Sequence, residues 1–134
     1  MADLRHDDAR FPVASRAFAQ LVIASGASGA GLVKTATLSN INGVIEQIEI
    51  EINTCTDGTA TVTVAIASEQ DAALFSEASL ADATTHLKQA LSQKGTPDAD
   101  FNSALVDGTL TVTGTFDKDP GVSTGTIDVT IFYR

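Results

Sequence analysis

Residues 44–66, VIEQIEIEINTCTDGTATVTVAI, hold the clearest pattern in the sequence. In each half of this stretch, isoleucine or valine occupies every second position, with Glu, Thr or Ala between them. A period of two is that of a β-strand with one face buried. Asp57-Gly58 lies between the halves and is a common turn dipeptide. The stretch therefore predicts a hairpin of two antiparallel strands.

The same alternation continues on both sides of this stretch. It recurs at 109–113 and 127–134, and it is weaker at 17–25 and 32–38. Turn signals rich in Gly, Asn or Asp separate these segments, at 26–31, 42–43, 107–108 and 119–121. Many short strands with such spacing are typical of sandwiches and barrels. We predict an all-β fold, an antiparallel β-sandwich of about seven or eight strands, Ig-like or jelly-roll-like.

In a strand, every second side chain lies on the same face. The apolar residues at every second position of the four clearest strands are therefore predicted to form the core between the sheets. The predicted core residues are Ile48, Ile50, Ile52, Val62, Val64, Ile66, Leu110, Val112, Ile127, Val129 and Ile131.

The segment 77–92 departs from this pattern. Apolar residues between Leu74 and Leu91 come at spacings compatible with a helical stripe, and Ala, Gln and Lys favour helices. Thr84-Thr85-His86 interrupts the stripe, and residues 73–75 are equally compatible with a short strand. The sequence leaves two alternatives, a short helix around 77–92 or a long loop crossing one end of the sandwich.

Composition excludes several classes of protein. The chain has 134 residues, the size of a single domain, with 8 Lys+Arg against 17 Asp+Glu and a net charge of −9. Such an acidic chain is a poor partner for nucleic acid, whose phosphates need clustered basic side chains. Its apolar runs are too short to span a membrane, so no membrane partner is expected.

Residues capable of catalysis are few and scattered. His6 and His86 lack neighbouring residues at metal-ligand or catalytic spacing, and we interpret both as bystanders. Cys55 has no histidine or cation nearby in sequence to lower its pKa, so we interpret it as a small residue at a hairpin end. With no nucleophile–base pair in view, we expect no enzymatic activity and no cofactor.

Three aspartates near the C-terminal strands suggest calcium, since hard cations favour carboxylate oxygens. These are Asp117, Asp119 and Asp128. They lack the spacing of an EF-hand and Lys118 separates the first two, so we favour solvated loop residues and expect no metal.

Several segments resemble small β-sandwich virion proteins of tailed bacteriophages. The similarity lies in the glycine-rich opening at 26–31, NGVIEQIEIEI at 42–52, TATVTVAI at 59–66, VDGTLTVTG at 106–114 and PGVSTGTIDVTIFYR at 120–134. It does not extend to 1–16 or 68–104. These are strand and turn patterns, so the resemblance transfers no functional residues.

The resemblance implies a structural role: a capsid decoration or cement protein on the outer surface of a phage head, made in the host cytoplasm. Its partners would be the major capsid protein or other virion subunits, with the chain present in many copies or as a homo-oligomer. An acidic, threonine-rich surface suits such an exposed position. The alternative is a receptor- or glycan-binding head-fibre or tail module, or a connector-associated protein. The absence of tryptophan argues against glycan binding.

The sequence divides into an N-terminal arm at 1–16 and a single sandwich domain at 17–134. Three arginines balance three aspartates in the arm, so the whole net charge lies beyond it. The arm is either a disordered terminus or a segment that orders on a neighbouring subunit. In the second case Phe11 would be the apolar anchor, and the arginines would bind carboxylates of the partner. The predicted partner-binding residues are Arg5, Arg10, Phe11 and Arg16.

Overall fold

Seven antiparallel strands make up the described part of the chain. The structure is a computed structural model that describes residues 15–90, 101 and 104–134. The elements are β1 (Ser15–Ile23), a 3-10 helix (Gly29–Leu32), β2 (Val33–Ile52), β3 (Thr61–Ser68), β4 (Phe75–Ala81), β5 (Thr84–Gln89), β6 (Ala104–Phe116) and β7 (Gly125–Tyr133). The all-β antiparallel prediction is confirmed. No helix in these ranges is long and apolar enough to cross a membrane.

The strands form two layers that share β2. Residues 33–45 of β2 pair with β6, whereas residues 45–52 pair with β7 on one side. On the other side, residues 47–52 pair with β5. We call the layer β1-β7-β2-β5 sheet A, and the layer β2-β6-β3-β4 sheet B. A strand that changes sheets in this way makes a corner of the sandwich.

The corner of β2 is built from residues with positive φ. Asn40 has φ 61° and Gly43 has φ 147°, and the pairing with β6 shifts register between Leu38 and Ile41. A Cβ on Gly43 would lie 2.7 Å from the backbone oxygen of Arg134, so this position also needs glycine for close approach. The turn predicted at 42–43 is therefore wrong. The dipeptide bends one long strand instead of separating two.

The hairpin predicted at 44–66 is also wrong. β2 pairs with β5, β6 and β7, and β3 pairs with β4 and β6, so the two segments lie in different sheets. The turn at Asp57-Gly58 belongs to a connection over 53–60 that crosses between the layers. Asp107-Gly108 is likewise not a turn, because Gly108, with φ 120°, lies within β6 opposite the β2 corner at Ile41.

All eleven predicted core residues are buried, each at most 1% exposed. Face-to-face packing of the layers is tightest at two glycines. A Cβ on Gly114 of sheet B would lie 2.7 Å from side-chain atoms of Leu21 and Ile127 in sheet A. A Cβ on Gly125 would lie 2.5 Å from the ring of Phe116. The core therefore has no spare volume at these points.

Both alternatives for 77–92, a short helix and a long loop, are wrong for residues 77–90, and 91–92 lie outside the described residues. This region forms the end of β4 and all of β5. Ala83, at φ 55°, turns the chain between them, and its N–H donates to the Asn53 carbonyl 3.2 Å away. Strand pairing with β2 and β3 satisfies the backbone here, which outweighs the helix propensity of Ala, Gln and Lys.

Candidate docking site

Arg16 is the one predicted partner-binding residue that the structure describes. It lies in β1, which begins at Ser15, and it pairs with Phe132 of β7. The guanidinium carbon is 5.9 Å from the centre of the Phe132 ring, within reach of a cation–π interaction. Both side chains are on the outer face of sheet A. Arg5, Arg10 and Phe11 lie outside the described residues, so their predicted role stays a prediction.

The outer face of β1 continues with exposed apolar residues that the sequence reasoning missed. Phe18 is 56% exposed and Val22 is 45% exposed. Between them, the Gln20 amide donates to Asp128 of β7 at 2.9 Å. The missed signal was the phase of β1: Ala19, Leu21 and Ile23 alternate with this outer set, and they are the buried ones.

Carboxylates dominate the centre of the same face. Glu49 and Glu51 of β2 face outward, because Ile48, Ile50 and Ile52 are buried between the sheets. Glu51 lies directly opposite Asp128 of β7. Like charges opposite each other disfavour the sheet pairing slightly and concentrate negative charge on this face. Arg16 stands at the edge of this acidic area.

The three candidate calcium ligands do not converge. Asp117 accepts a hydrogen bond from the Thr61 N–H at 2.7 Å, and Asp128 accepts the one from Gln20. Asp119 accepts from the N–H groups of Gly26 at 2.8 Å and Gly121 at 2.9 Å, which ties two loops together. Over 15–90, 101 and 104–134, no group of three His, Cys, Asp or Glu residues could hold a metal ion.

The surroundings of Cys55 disfavour its reactive thiolate form, and His86 contacts a backbone carbonyl. Cys55 is buried, and its backbone N–H donates to the Asp82 carboxylate at 2.8 Å. Burial raises the pKa of the Cys55 thiol, and the negative charges of Asp82 and Asp57 raise it further. A nitrogen of His86 lies 3.1 Å from the Ala81 carbonyl oxygen.

Native Cys55 is therefore expected to react slowly with thiol reagents. The thiolate is the reactive form, and both burial and the nearby carboxylates disfavour it. Labelling with iodoacetamide at neutral pH should be at least about tenfold slower in the folded protein than in denaturant, because a raised pKa lowers the thiolate fraction. Equal rates in the two states would contradict the burial.

A cleft of about 220 Å³ lies where β2 ends beside the turn between β4 and β5. Among its lining residues, Glu51 is the single ionisable side chain, and Asn53, Thr54, Thr84 and Thr85 supply most of its polar groups. One carboxylate beside amide and hydroxyl groups offers no acid–base pair, so the cleft is a weaker candidate site than the Arg16 region.

Comparisons with known proteins give solved structures that are similar at low sequence identity. No protein-family model and no curated protein matches this chain. A chain of the capsid asymmetric unit of cyanophage Pam1 is similar at a TM-score of 0.48 and 13% identity, covering 90% of this chain and 83% of that one. The VP2 subviral particle of infectious bursal disease virus is similar at a TM-score of 0.36 and 12% identity, covering 88% of this chain and 33% of that one. At these values the similarities carry no inference about function.

Proposed function

We propose that this chain is a virion structural protein, a decoration or cement protein that binds the outer surface of a phage head and bridges major capsid subunits. The observation that carries the proposal is the contact of Arg16 with Phe132 at the start of β1, where residues 1–14 join the sandwich. The resemblance to phage virion proteins supplies the kind of particle.

Arg16 and Phe132 have the chemistry of an interface anchor. Arginine and aromatic residues are enriched at protein interfaces, where they form many of the energetically dominant contacts. Arg16 is exposed and Phe132 is half-buried, on an acidic molecule in which the charges of residues 1–16 balance. Docking through this end would avoid repulsion between the carboxylates of sheet A and an acidic partner.

The outer face of sheet B suits exposure to solvent. Most of the outward-facing residues that lie opposite each other on β2, β6 and β3 are threonines. Thr35 and Thr113 are linked by a hydroxyl–hydroxyl hydrogen bond of 3.2 Å. Apart from the exposed Val33 and Leu105, the described strands place small side chains on this face, which limits nonspecific association. We assign this face to the side away from the capsid.

The proposed mechanism is clamping by many copies. Each copy would join adjacent capsid subunits, and the lattice would be held by the sum of many individually weak contacts. A rigid body transmits such a load well, and hydrogen bonds between loops stiffen one end of this sandwich. Asp119 bonds to Gly26, and the Ser25 hydroxyl donates to the Gly121 carbonyl at 2.7 Å.

Co-sedimentation with heads of the parent virus that lack this protein tests the proposal. Arg16→Gln and a variant lacking residues 2–14 should each bind at least about tenfold more weakly, as loss of an interface anchor does. Lys34→Gln, which removes an exposed positive charge from the edge of sheet B, is the matched control and should bind normally. Each variant should keep its β-sheet circular dichroism and thermal transition.

Copy number separates this role from its alternative. Hundreds of copies per particle in cryo-electron microscopy would support cement, whereas a few copies at one vertex would favour a fibre, tail or connector role. Normal occupancy of both the Arg16→Gln and the truncated proteins would eliminate this docking site.

A further inference from the structure

Strand β1 is a sheet edge without the usual protection against pairing. Its strand partner is β7, and no other described strand pairs with the backbone N–H and C=O groups on the opposite side of β1. The register with β7 runs through nine consecutive pairs without a bulge. β1 contains no proline, no lysine and no carboxylate, and Arg16 is its sole charged residue. Such an edge readily accepts another strand.

The other described edges are blocked by recognised devices. β4 carries a register shift and a positive φ of 60° at Ser79. β5 is six residues long, and its Lys88 reaches to within 3.9 Å of Glu77. The first half of β2 carries the exposed Lys34 and ends in the bend at Asn40. Bulges, short length and charged side chains all discourage edge-to-edge pairing. β1 is the exception.

We propose that β1 pairs antiparallel with β1 of a second copy, about a two-fold axis at Gln20. In this register Gln20 faces Gln20 of the partner subunit, and Phe18 faces Val22 of the partner subunit, twice by symmetry. The two four-stranded A sheets then join into one sheet of eight strands. A two-fold contact of this type uses the same surface on both copies and closes as a dimer.

Three features of β1 favour a second copy as the occupant. Phe18 and Val22 are both large and exposed, and they lie at equal distances on either side of Gln20. In this register, Phe18 of each copy therefore packs against Val22 of the other copy. On the inner face the same register places Ala19 opposite Leu21, which extends the apolar core of sheet A across the contact. Finally, β1 has no carboxylate, although each copy carries a net charge of −9, so this edge brings two acidic molecules together with little local repulsion.

The mass of the free protein in solution is the first test, and it is independent of any virion role. Light scattering should give twice the 13.8 kDa of the chain. Val22→Lys and Phe18→Lys should each raise the dissociation constant at least about tenfold, because each change disrupts two symmetric contacts. The matched control is Leu87→Lys, since Leu87 is 50% exposed on the same face but lies on the opposite edge strand. This control should remain dimeric.

Disulfide cross-linking tests the register. Gln20→Cys in a Cys55→Ala background should form a covalent dimer on mild oxidation, since directly opposed residues of antiparallel strands have the spacing that a disulfide requires. Phe18→Cys in the same background should not, because its two copies would be four residues out of register. A monomer at every concentration, a dimer insensitive to Val22→Lys, or cross-linking at 18 in place of 20 would overturn the proposal.

Discussion

Phe116→Ala is expected to lower the free energy of unfolding by about 3–5 kcal/mol, the usual cost of deleting a buried aromatic ring. Phe116 is among the largest fully buried side chains and is 1% exposed. Its ring occupies the space that a side chain at Gly125 would fill. Phe116 of sheet B thus packs directly against the backbone of Gly125 in sheet A. Urea denaturation followed by circular dichroism measures the loss.

Two further variants separate this packing from a general effect of losing an aromatic residue. Phe132→Ala removes a half-buried ring on the outer face and should cost about 1 kcal/mol or less. Gly125→Ala should cost about 1–3 kcal/mol through overpacking against Phe116. Combined with Phe116→Leu, the same change should cost clearly less, because residues in contact couple. Additive costs would contradict direct contact between these positions.

Ile50→Ala is expected to lower the free energy of unfolding by about 2–5 kcal/mol, from lost burial and the cavity left behind. Ile50 is fully buried and lies in the half of β2 that pairs with both β5 and β7, so neighbouring strands on each side limit collapse into the cavity. The neighbouring Glu49 faces the outer surface, and Glu49→Ala should change stability by no more than about 0.5 kcal/mol. A similar loss for both variants in thermal unfolding would contradict the burial of one face of β2.

Alternation alone predicted which side chains are buried. The period of two is a property of single strands, and the apolar phase must face the core wherever the strand lies. Ile50, Val112 and Val129 are therefore buried as predicted although their pairing partners were not predicted. The contrast between the two phases is weaker in β1, where the small Ala19 lies on the inner face and the large Phe18 lies on the outer face.

Pairing between strands depends on contacts between residues distant in sequence. The local turn signals therefore predicted the wrong strand partners. Asn42-Gly43 and Asp107-Gly108 have the composition of turns, and the glycine of each has a positive φ. A bend within a continuous strand requires the same backbone conformation as a turn, so composition does not distinguish the two. The connection at 53–60 contains a turn dipeptide but crosses between layers. For the candidate site, the charge balance of residues 1–16 indicated Arg16, whereas its aromatic neighbour Phe132 lies 116 positions later in the chain.

The adjacency of β1 and β7 has a consequence during synthesis. Ile23 pairs with Gly125 and Ser15 with Tyr133, so the first described strand meets its partner only after more than a hundred further residues have been made. At ribosomal rates of about 5–20 residues per second, that interval lasts roughly 5–20 seconds. Until β7 is synthesised, β1 and the second half of β2 both lack the strand that lies between them in sheet A. The nascent chain thus exposes unsatisfied strand edges for seconds, the period in which chaperones protect such intermediates from aggregation.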